Sequence, residues 1–170
     1  MLGGGCHAMD LLRWVAGDPD EISAYANRKM LKNWPTDDCT IAIMKFPDDV
    51  IGKVFVSTGC KRNYTMRSVF YGSKGTIIVD NTSPSMQVFK SGINDSIFSD
   101  IKQDFTAAVQ YPIKINNHNT VREFDEFAEI ILNDLLVSTT AREGAKTVAA
   151  CLAAVESARI GRPVKPDYNF

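Results

Sequence analysis

Residues 40–58, TIAIMKFPDDVIGKVFVST, decide the fold class. Two β-rich runs, Thr40–Phe46 and Lys53–Thr58, flank a segment that contains Pro47-Asp48-Asp49 and Gly52. Strand-forming runs separated by turn residues are typical of a β-hairpin. The stretch therefore predicts two antiparallel strands in the first half of the chain.

Strand-like runs on both sides of this hairpin extend the β-rich region. They predict one strand before it, a second hairpin after it and two short outer strands. In chain order these are Ile22–Arg28, Thr65–Tyr71, Thr76–Asp80, Met86–Phe89 and Ile113–Ile115. Residues 91–111 have weak periodicity and predict an irregular excursion with a helical turn near Phe105–Val109.

Apolar residues recur at helical spacing at both ends of the chain. Cys6–Ala16 predicts a short helix that Gly17 closes. Residues 120–123 (TVRE) and 140–143 (TARE) are capping boxes and predict the starts of two C-terminal helices. Each of these helices carries a predicted core stripe. The stripe residues are Phe124, Phe127, Ala128, Ile131 and Leu135 in the first, and Ala145, Val148, Leu152 and Val155 in the second.

Strands joined by hairpins and followed by helices predict an α+β fold. We expect a single domain over residues 1–170, with a largely antiparallel open sheet and helices packed on one face. Apolar residues such as Phe55 and Val69 make complete exposure of the other face unfavourable. We therefore expect a partner to cover that face.

The composition excludes several classes of protein. The chain has 170 residues, 19 Lys and Arg against 20 Asp and Glu, and 45 % hydrophobic residues. These values are typical of a globular protein, and they disfavour disorder and charge-driven nucleic-acid binding. No apolar run approaches the ~18–20 residues of a membrane span. The length fits one domain of about 100–200 residues and is roughly half of what a two-domain nicotinamide enzyme needs.

The cysteines give no sign of a metal site or of a disulfide framework. Cys6, Cys39, Cys60 and Cys151 are widely spaced and form no C-x-x-C pair. The N-terminus also lacks the basic and apolar regions of a secretory signal. We therefore expect reduced thiols, a cytoplasmic protein and no bound metal.

One of the two histidines has a neighbour suited to acid–base chemistry. His7 opens the first predicted helix, and Asp10 lies one helical turn further on, where its carboxylate can orient the ring. Histidine accepts and donates protons near neutral pH, so His7 is a candidate acid or base. The alternative is a capping histidine beside an ordinary first-turn aspartate. His118, among asparagines, is expected in a solvated loop.

A run of three glycines precedes this histidine. No strand is predicted before Gly3-Gly4-Gly5, and neither G-x-G-x-x-G nor a Walker lysine is present. We therefore expect no cofactor-binding residue here. The glycines are expected to let the backbone pass close to a neighbouring segment or a ligand.

Three segments together resemble a known family. Residues 3–17, GGGCHAMDLLRWVAG, resemble the helix that opens the C-terminal domain of the Gfo/Idh/MocA oxidoreductases, the family of glucose–fructose oxidoreductase and inositol dehydrogenase. Residues 64–77, YTMRSVFYGSKGTI, are similar to its aromatic strand and hairpin, and residues 122–164 to its closing helix pair. The segments occur in the family's order and cover most of the chain.

The resemblance implies an NAD(P)-dependent oxidoreductase of sugars, inositols and related polyols, whose N-terminal Rossmann domain binds the cofactor. Hydride passes between a substrate carbon and the nicotinamide, while a proton leaves or joins the substrate oxygen. His7 matches the family's catalytic histidine and Tyr64 a substrate-contacting tyrosine, with Asp10 expected beside the substrate. The family's open sheet usually serves subunit association, so a homo-oligomer is expected.

The sequence departs from the family pattern in two ways. The family often has an aspartate four residues before the histidine, where this chain has Gly3. The Rossmann domain is also absent from this sequence, so we expect the chain alone to bind no nicotinamide and to be inactive. The alternative hypothesis is a stand-alone, non-catalytic oligomerising or ligand-binding module derived from the same domain.

Overall fold

The computed structural model describes residues 1–90, 108–115, 120–137 and 139–170. These residues form two compact units, residues 1–61 with 136–170 and residues 62–135. In chain order the elements are α1 (Cys6–Ala16), β1 (Glu21–Asn27), β2 (Cys39–Lys45), β3 (Ile51–Ser57), β4 (Arg67–Gly72), β5 (Gly75–Asp80), β6 (Ser85–Lys90), β7 (Val109–Pro112), α2 (Thr120–Leu132) and α3 (Ala141–Ile160). The predictions for His118 and for most of the 91–111 excursion lie outside the described residues.

The first unit contains a three-stranded antiparallel sheet in the order β1-β2-β3. The β2–β3 hairpin lies where residues 40–58 predict it, because alternating apolar residues suit a strand with one buried face. Ala24, Ala42 and Val54 lie side by side in the register, and all three are buried. The predicted α+β class with antiparallel strands is confirmed.

The opposite face of this sheet is apolar and exposed. Tyr25, Ile41 and Phe55 form the next row of the register, with exposed fractions of 79 %, 38 % and 63 %. We call this row the outer face of the first sheet.

Helix α3 packs against β1 through its small residues. Its buried residues are Thr147, Ala150, Cys151, Ala153, Ala154 and Ser157. The predicted core stripe of this helix is wrong, because Val148, Leu152 and Val155 are exposed. Small side chains let the helix backbone come close to the strand, and the amide of Ala24 donates to Ser157 Oγ at 2.9 Å.

The second unit contains a four-stranded antiparallel sheet in the order β4-β5-β6-β7. The described strands therefore form two sheets, whereas the pattern predicts one. The β4–β5 hairpin is confirmed, and so is β6. The predicted strand Ile113–Ile115 is wrong, because the last strand is β7 at Val109–Pro112. Whether residues 1–170 behave as a single domain stays a prediction.

Helix α2 begins at Thr120, as its capping sequence predicts. None of its residues is buried. The large residues of its predicted stripe, Phe124, Phe127 and Ile131, are exposed to 58 % or more. The helix is therefore confirmed, but the predicted burial of its stripe is wrong, and Leu135 lies beyond the end of α2 at Leu132.

Candidate functional site

His7 lies exposed on the first turn of α1. The turn before it packs tightly, because a Cβ atom on Gly5 would lie 2.7 Å from the carbonyl oxygen of Met1 and 2.9 Å from Val56 Cγ2. Glycine is needed there for the backbone to pass close to β3, as the glycine run predicts. A Cβ atom on Gly3 would meet nothing within 4 Å.

Arg13 fixes α1 against α3. Its side chain is only 5 % exposed, although it carries a positive charge. The guanidinium donates to Asp18 Oδ1 from Nε at 2.8 Å and from Nη2 at 2.5 Å. It also donates to the carbonyl oxygen of Glu143 at 3.0 Å, to Glu143 Oε2 at 3.0 Å and to Thr147 Oγ1 at 2.7 Å. A buried charge needs such partners to offset its lost hydration.

A second cation joins the same group. Lys146 Nζ lies 2.9 Å from Asp18 Oδ2 and 3.2 Å from Glu143 Oε1. We call Arg13, Asp18, Glu143 and Lys146 the Arg13 network. Burial alone would raise the pKa of Asp18, but the hydrogen bonds from Lys146 and Arg13 outweigh it and lower that pKa. The hydrogen bonds from Arg13 and Lys146 lower the pKa of Glu143 as well. Both carboxylates are therefore held in their charged form.

The network also explains how α3 begins. Thr140 Oγ1 accepts from the amide of Glu143 at 3.2 Å, so the hydroxyl half of the predicted capping box is confirmed. The carboxylate of Glu143, which the capping box assigns to the helix start, contacts Arg13 and Lys146. These contacts of the Glu143 carboxylate join the start of α3 to α1.

Asp10 faces α3 as well. Its Oδ1 accepts from Thr147 Oγ1 at 2.5 Å and lies 3.7 Å from Arg13 Nη1. Asp10 and His7 share α1 and lie about one turn apart, as their spacing predicts. The role of Asp10 in orienting His7 or contacting substrate stays a prediction.

Sequence reasoning missed both Arg13 and Thr147. The apolar residues of α1 include Leu11, Leu12, Trp14 and Val15, but its buried residues are Met9 and Arg13. Trp14 is 84 % exposed. The spacing of Arg13 and Asp18 is the one signal in the sequence, since the other partners are about 130 positions away.

The loop between β1 and β2, residues 28–38, is organised by Asp38. This residue is only 3 % exposed, and its Oδ2 accepts from the amides of Met30 at 2.7 Å and Leu31 at 2.6 Å. The hydrogen bond from Leu31, followed by those from Met30 and Lys29, lowers the pKa of the Asp38 carboxyl. The carbonyl oxygen of Asp38 accepts from the amide of Thr58 at 2.8 Å, which joins the loop to the end of β3.

A cavity of about 270 Å³ lies between this loop and the turn before α1. We call it the β1–β2 cavity. Its lining residues are Met1, Gly3, Gly4, Leu31, Trp34, Thr36, Asp37, Asp38, Thr40, Val56 and Thr58. Gly4 stands three residues before His7, so one wall of the cavity belongs to the segment that carries the candidate acid or base.

Tyr64 belongs to the second unit, just before β4. Its side chain is 56 % exposed, and its carbonyl oxygen accepts from Asn81 Nδ2 at 3.2 Å. That hydrogen bond fixes the backbone at Tyr64. A substrate contact by its hydroxyl stays a prediction.

In the described ranges, no three His, Cys, Asp or Glu side chains are grouped so that they could hold a metal ion. None of the helices described has the length and apolar character that a bilayer span requires.

A comparison with protein families matches residues 1–78 to the model described as the GFO/IDH/MocA C-terminal domain. The matched segment contains α1, the first sheet and the β4–β5 hairpin up to Ile78. The predicted resemblance to the Gfo/Idh/MocA C-terminal domain is confirmed. No curated protein sequence matches the chain.

Several solved structures share the fold of this chain. Levoglucosan dehydrogenase in complex with NADH is 19 % identical, with a TM-score of 0.79 over 97 % of this chain and 49 % of that one. An aldose–aldose oxidoreductase from Caulobacter crescentus, complexed with glycerol, is 19 % identical, with a TM-score of 0.73 over 95 % and 45 %. The WlbA dehydrogenase from Bordetella pertussis, with NADH and UDP-GlcNAcA, is 18 % identical, with a TM-score of 0.68 over 95 % and 43 %.

At these identities the likeness establishes the fold alone. The chain spans about half the length of these compared proteins, or slightly less.

Proposed function

We propose that the chain is the C-terminal, substrate-binding part of an NAD(P)-dependent oxidoreductase that acts on a sugar or polyol. The observation that carries the proposal is an exposed His7 on the first turn of α1, inside the segment that matches the family. The similar structures support it, since levoglucosan dehydrogenase is in complex with NADH and an aldose–aldose oxidoreductase with glycerol.

His7 is the proposed acid or base. In the oxidation direction its imidazole accepts the proton of the substrate hydroxyl, and in reduction it returns that proton. The Arg13 network supports this role indirectly, because it holds the helix that carries His7 against α3. Asp10 and Tyr64 are the proposed substrate contacts.

The glycine run before α1 does not have the form of a dinucleotide-binding turn. Its three glycines lie within a turn, and Gly5 is packed against Met1 and Val56. A phosphate-binding turn needs free backbone amides at the start of the helix, but the amide of Gly5 donates to the carbonyl oxygen of Met1 at 2.8 Å. NAD or NADP is therefore proposed to bind on another part of the full-length enzyme, its Rossmann domain.

The outer face of the first sheet supports self-association. Tyr25, Ile41 and Phe55 lie side by side and exposed, and exposed apolar patches mark interaction sites. We include a homo-oligomer through this face in the proposal. The same face also favours the second candidate function, a non-catalytic oligomerising or ligand-binding module.

The reading frame upstream of the Met1 codon separates the two candidates. An in-frame Rossmann sequence supports the oxidoreductase and excludes the stand-alone module. A ribosome-binding site preceded by a stop codon supports the module. For the 170-residue chain, calorimetry is expected to detect no tight binding of NAD(H), and tight binding would contradict the proposal.

Kinetics of the full-length protein test the role of His7. Reduction of NAD⁺ or NADP⁺ is followed with a panel of sugars and polyols. His7→Ala is expected to lower kcat by about 10²–10⁴-fold, which is the usual contribution of general acid–base catalysis. His118→Ala is the matched control, with kcat expected to stay at the wild-type value. A His7→Ala enzyme with wild-type kcat would remove His7 from the mechanism.

A further inference from the structure

We propose that the β1–β2 cavity binds a neutral polyhydroxylated ligand of monosaccharide size, with Trp34 as the stacking surface and Asp37 as the hydrogen-bond acceptor. The proposal rests on the proposed function, since it assigns a substrate-binding subsite and two specificity residues to the same domain. Four observations carry it: the fixed loop, the chemistry of the lining, its charge and the cavity volume.

The loop that forms one wall is held at several points. The carboxylate of Asp38 binds the backbone at Met30 and Leu31, and Arg28 Nη1 donates to the carbonyl oxygen of Trp34. The amide of Trp34 donates to the carbonyl oxygen of Leu31 at 2.9 Å, which closes a turn. A loop fixed in this way loses little conformational entropy when a ligand binds.

The loop also packs closely on the end of β3. A Cβ atom on Gly59 would lie 2.6 Å from Met30 Cβ, so the two backbones approach to a distance that only glycine allows. Thr58 Oγ1 donates to the carbonyl oxygen of Asp38 at 3.3 Å. The cavity wall is thus held at the end of β3 at two points.

The lining combines an aromatic surface with polar groups. Trp34 is 57 % exposed and lines the cavity with Leu31. Thr36, Thr58 and the exposed Asp37 add hydroxyl groups and a carboxylate. A sugar ring presents C–H groups on its faces and hydroxyls around its edge. An aromatic face with a few hydrogen-bonding groups beside it suits both parts of such a ligand.

The charge of the lining selects against anions. Its side chains, all within the described residues 1–58, include the carboxylates of Asp37 and Asp38 and no basic side chain. The carboxylate of Asp38 is already engaged with the loop backbone, so Asp37 is the acceptor available to a ligand hydroxyl. Repulsion of like charges in this cavity disfavours a phosphorylated sugar or a nucleotide.

The volume sets the size of the ligand. Pockets for drug-sized ligands occupy about 300–1,000 Å³, and the β1–β2 cavity lies just below that range at about 270 Å³. This space suits a monosaccharide or a cyclic polyol and is too small for a dinucleotide. The volume therefore agrees with the uncharged, hydroxyl-rich ligand that the lining favours.

Tryptophan fluorescence tests the proposal, because the chain has only two tryptophans. In a Trp14→Phe chain, the emission reports on Trp34 alone and is titrated with D-glucose, myo-inositol and glucose 6-phosphate. We expect a saturable change with at least one neutral probe and at least tenfold weaker binding of glucose 6-phosphate. In the matched Trp34→Phe chain, the emission of Trp14 is expected not to change.

A second variant tests the acceptor role of Asp37. In the Trp14→Phe chain, Asp37→Asn is expected to weaken binding about tenfold, which corresponds to ~1.4 kcal/mol. The control is Asp48→Asn, in the β2–β3 turn, which should bind as tightly as the parent. Circular dichroism confirms that each variant is folded.

Several outcomes would overturn the proposal. They are the absence of saturable binding by either neutral probe in a folded chain, equal affinity for glucose and glucose 6-phosphate, and unchanged affinity in Asp37→Asn. The titration uses neither cofactor nor turnover. Failure of the binding test therefore leaves the acid–base test of His7 unaffected, and failure of that kinetic test leaves the binding site in place.

Discussion

Arg13→Met is the substitution that most directly tests how α1 is held. Methionine replaces the aliphatic part of the arginine side chain, but it removes the charge and all five donated hydrogen bonds. The carboxylates of Asp18 and Glu143 then keep Lys146 as their cation. We expect a folded protein of lower stability.

The magnitude follows from the exposure of the partners. Removing one member of a buried ion pair costs about 3–5 kcal/mol when the other is left buried. The side chains of Asp18 and Glu143 are 31 % and 47 % exposed, so water can reach both carboxylates. We therefore expect Arg13→Met to lower the free energy of unfolding by about 2–3 kcal/mol. At about 2–4 °C per kcal/mol for a chain of this size, Tm falls by about 4–12 °C.

Urea and thermal unfolding measure the effect, with two variants for comparison. Arg159→Met removes an exposed arginine that pairs with Glu156 on α3, and it is expected to change stability little. Arg13→Lys keeps the charge but loses the planar fork, so its stability should lie between wild type and Arg13→Met. If the urea midpoint of unfolding of Arg13→Met equals that of wild type, the Arg13 network does not hold α1, which contradicts this prediction.

Three further predictions concern pH, packing and thiol chemistry. The lowered pKa of Asp18 in the folded state stabilises the protein above the unfolded value of about 4. This stability is lost as the pH falls through the pKa that Asp18 has in the folded state. In Arg13→Met, which lacks the guanidinium, the free energy of unfolding should therefore fall less with decreasing pH than it does in wild type. Ala154→Leu should destabilise α3 packing by about 1–3 kcal/mol in urea unfolding, whereas Leu152→Ala, at 50 % exposure, should stay within about 0.5 kcal/mol of wild type. Burial, then the nearby charge of another thiol, raises the pKa of Cys151 to about 11, so mass spectrometry should find iodoacetamide on the exposed Cys60 first. Equal labelling of both in the folded chain would contradict this burial.

Local sequence signals predicted the elements but not which face of each helix is buried. The bounds of α1 agree with the prediction, and β2 and β3 begin within two residues of it. On α3, two sets of residues have helical spacing: the large apolar stripe with Leu152 and the small face with Ala150 and Ala154. Only the distance between helix and strand favours the small face, and that distance is a property of the packed structure.

In the candidate site too, some features could be predicted from the sequence and others could not. His7 could be singled out from the sequence because it follows a glycine run and opens a helix. The burial of Arg13 could not be predicted, because arginines are mostly exposed and its partners on α3 are distant in sequence. Asp38 was likewise missed, since its partners are backbone amides, which every loop possesses.

Arg13 and His7 lie on the same helix, and this links stability to the proposed chemistry in a separable way. His7 is exposed, so His7→Ala should lower kcat while Tm stays near the wild-type value. Arg13 Nη1 lies 3.7 Å from Oδ1 of Asp10, a proposed substrate contact, so Arg13→Met acts on turnover by changing how α1 and Asp10 are held. Its effect on kcat should therefore follow the loss of Tm and be partly restored in Arg13→Lys. A substitution of Arg13 that lowered kcat without lowering Tm would instead place the guanidinium beside the substrate.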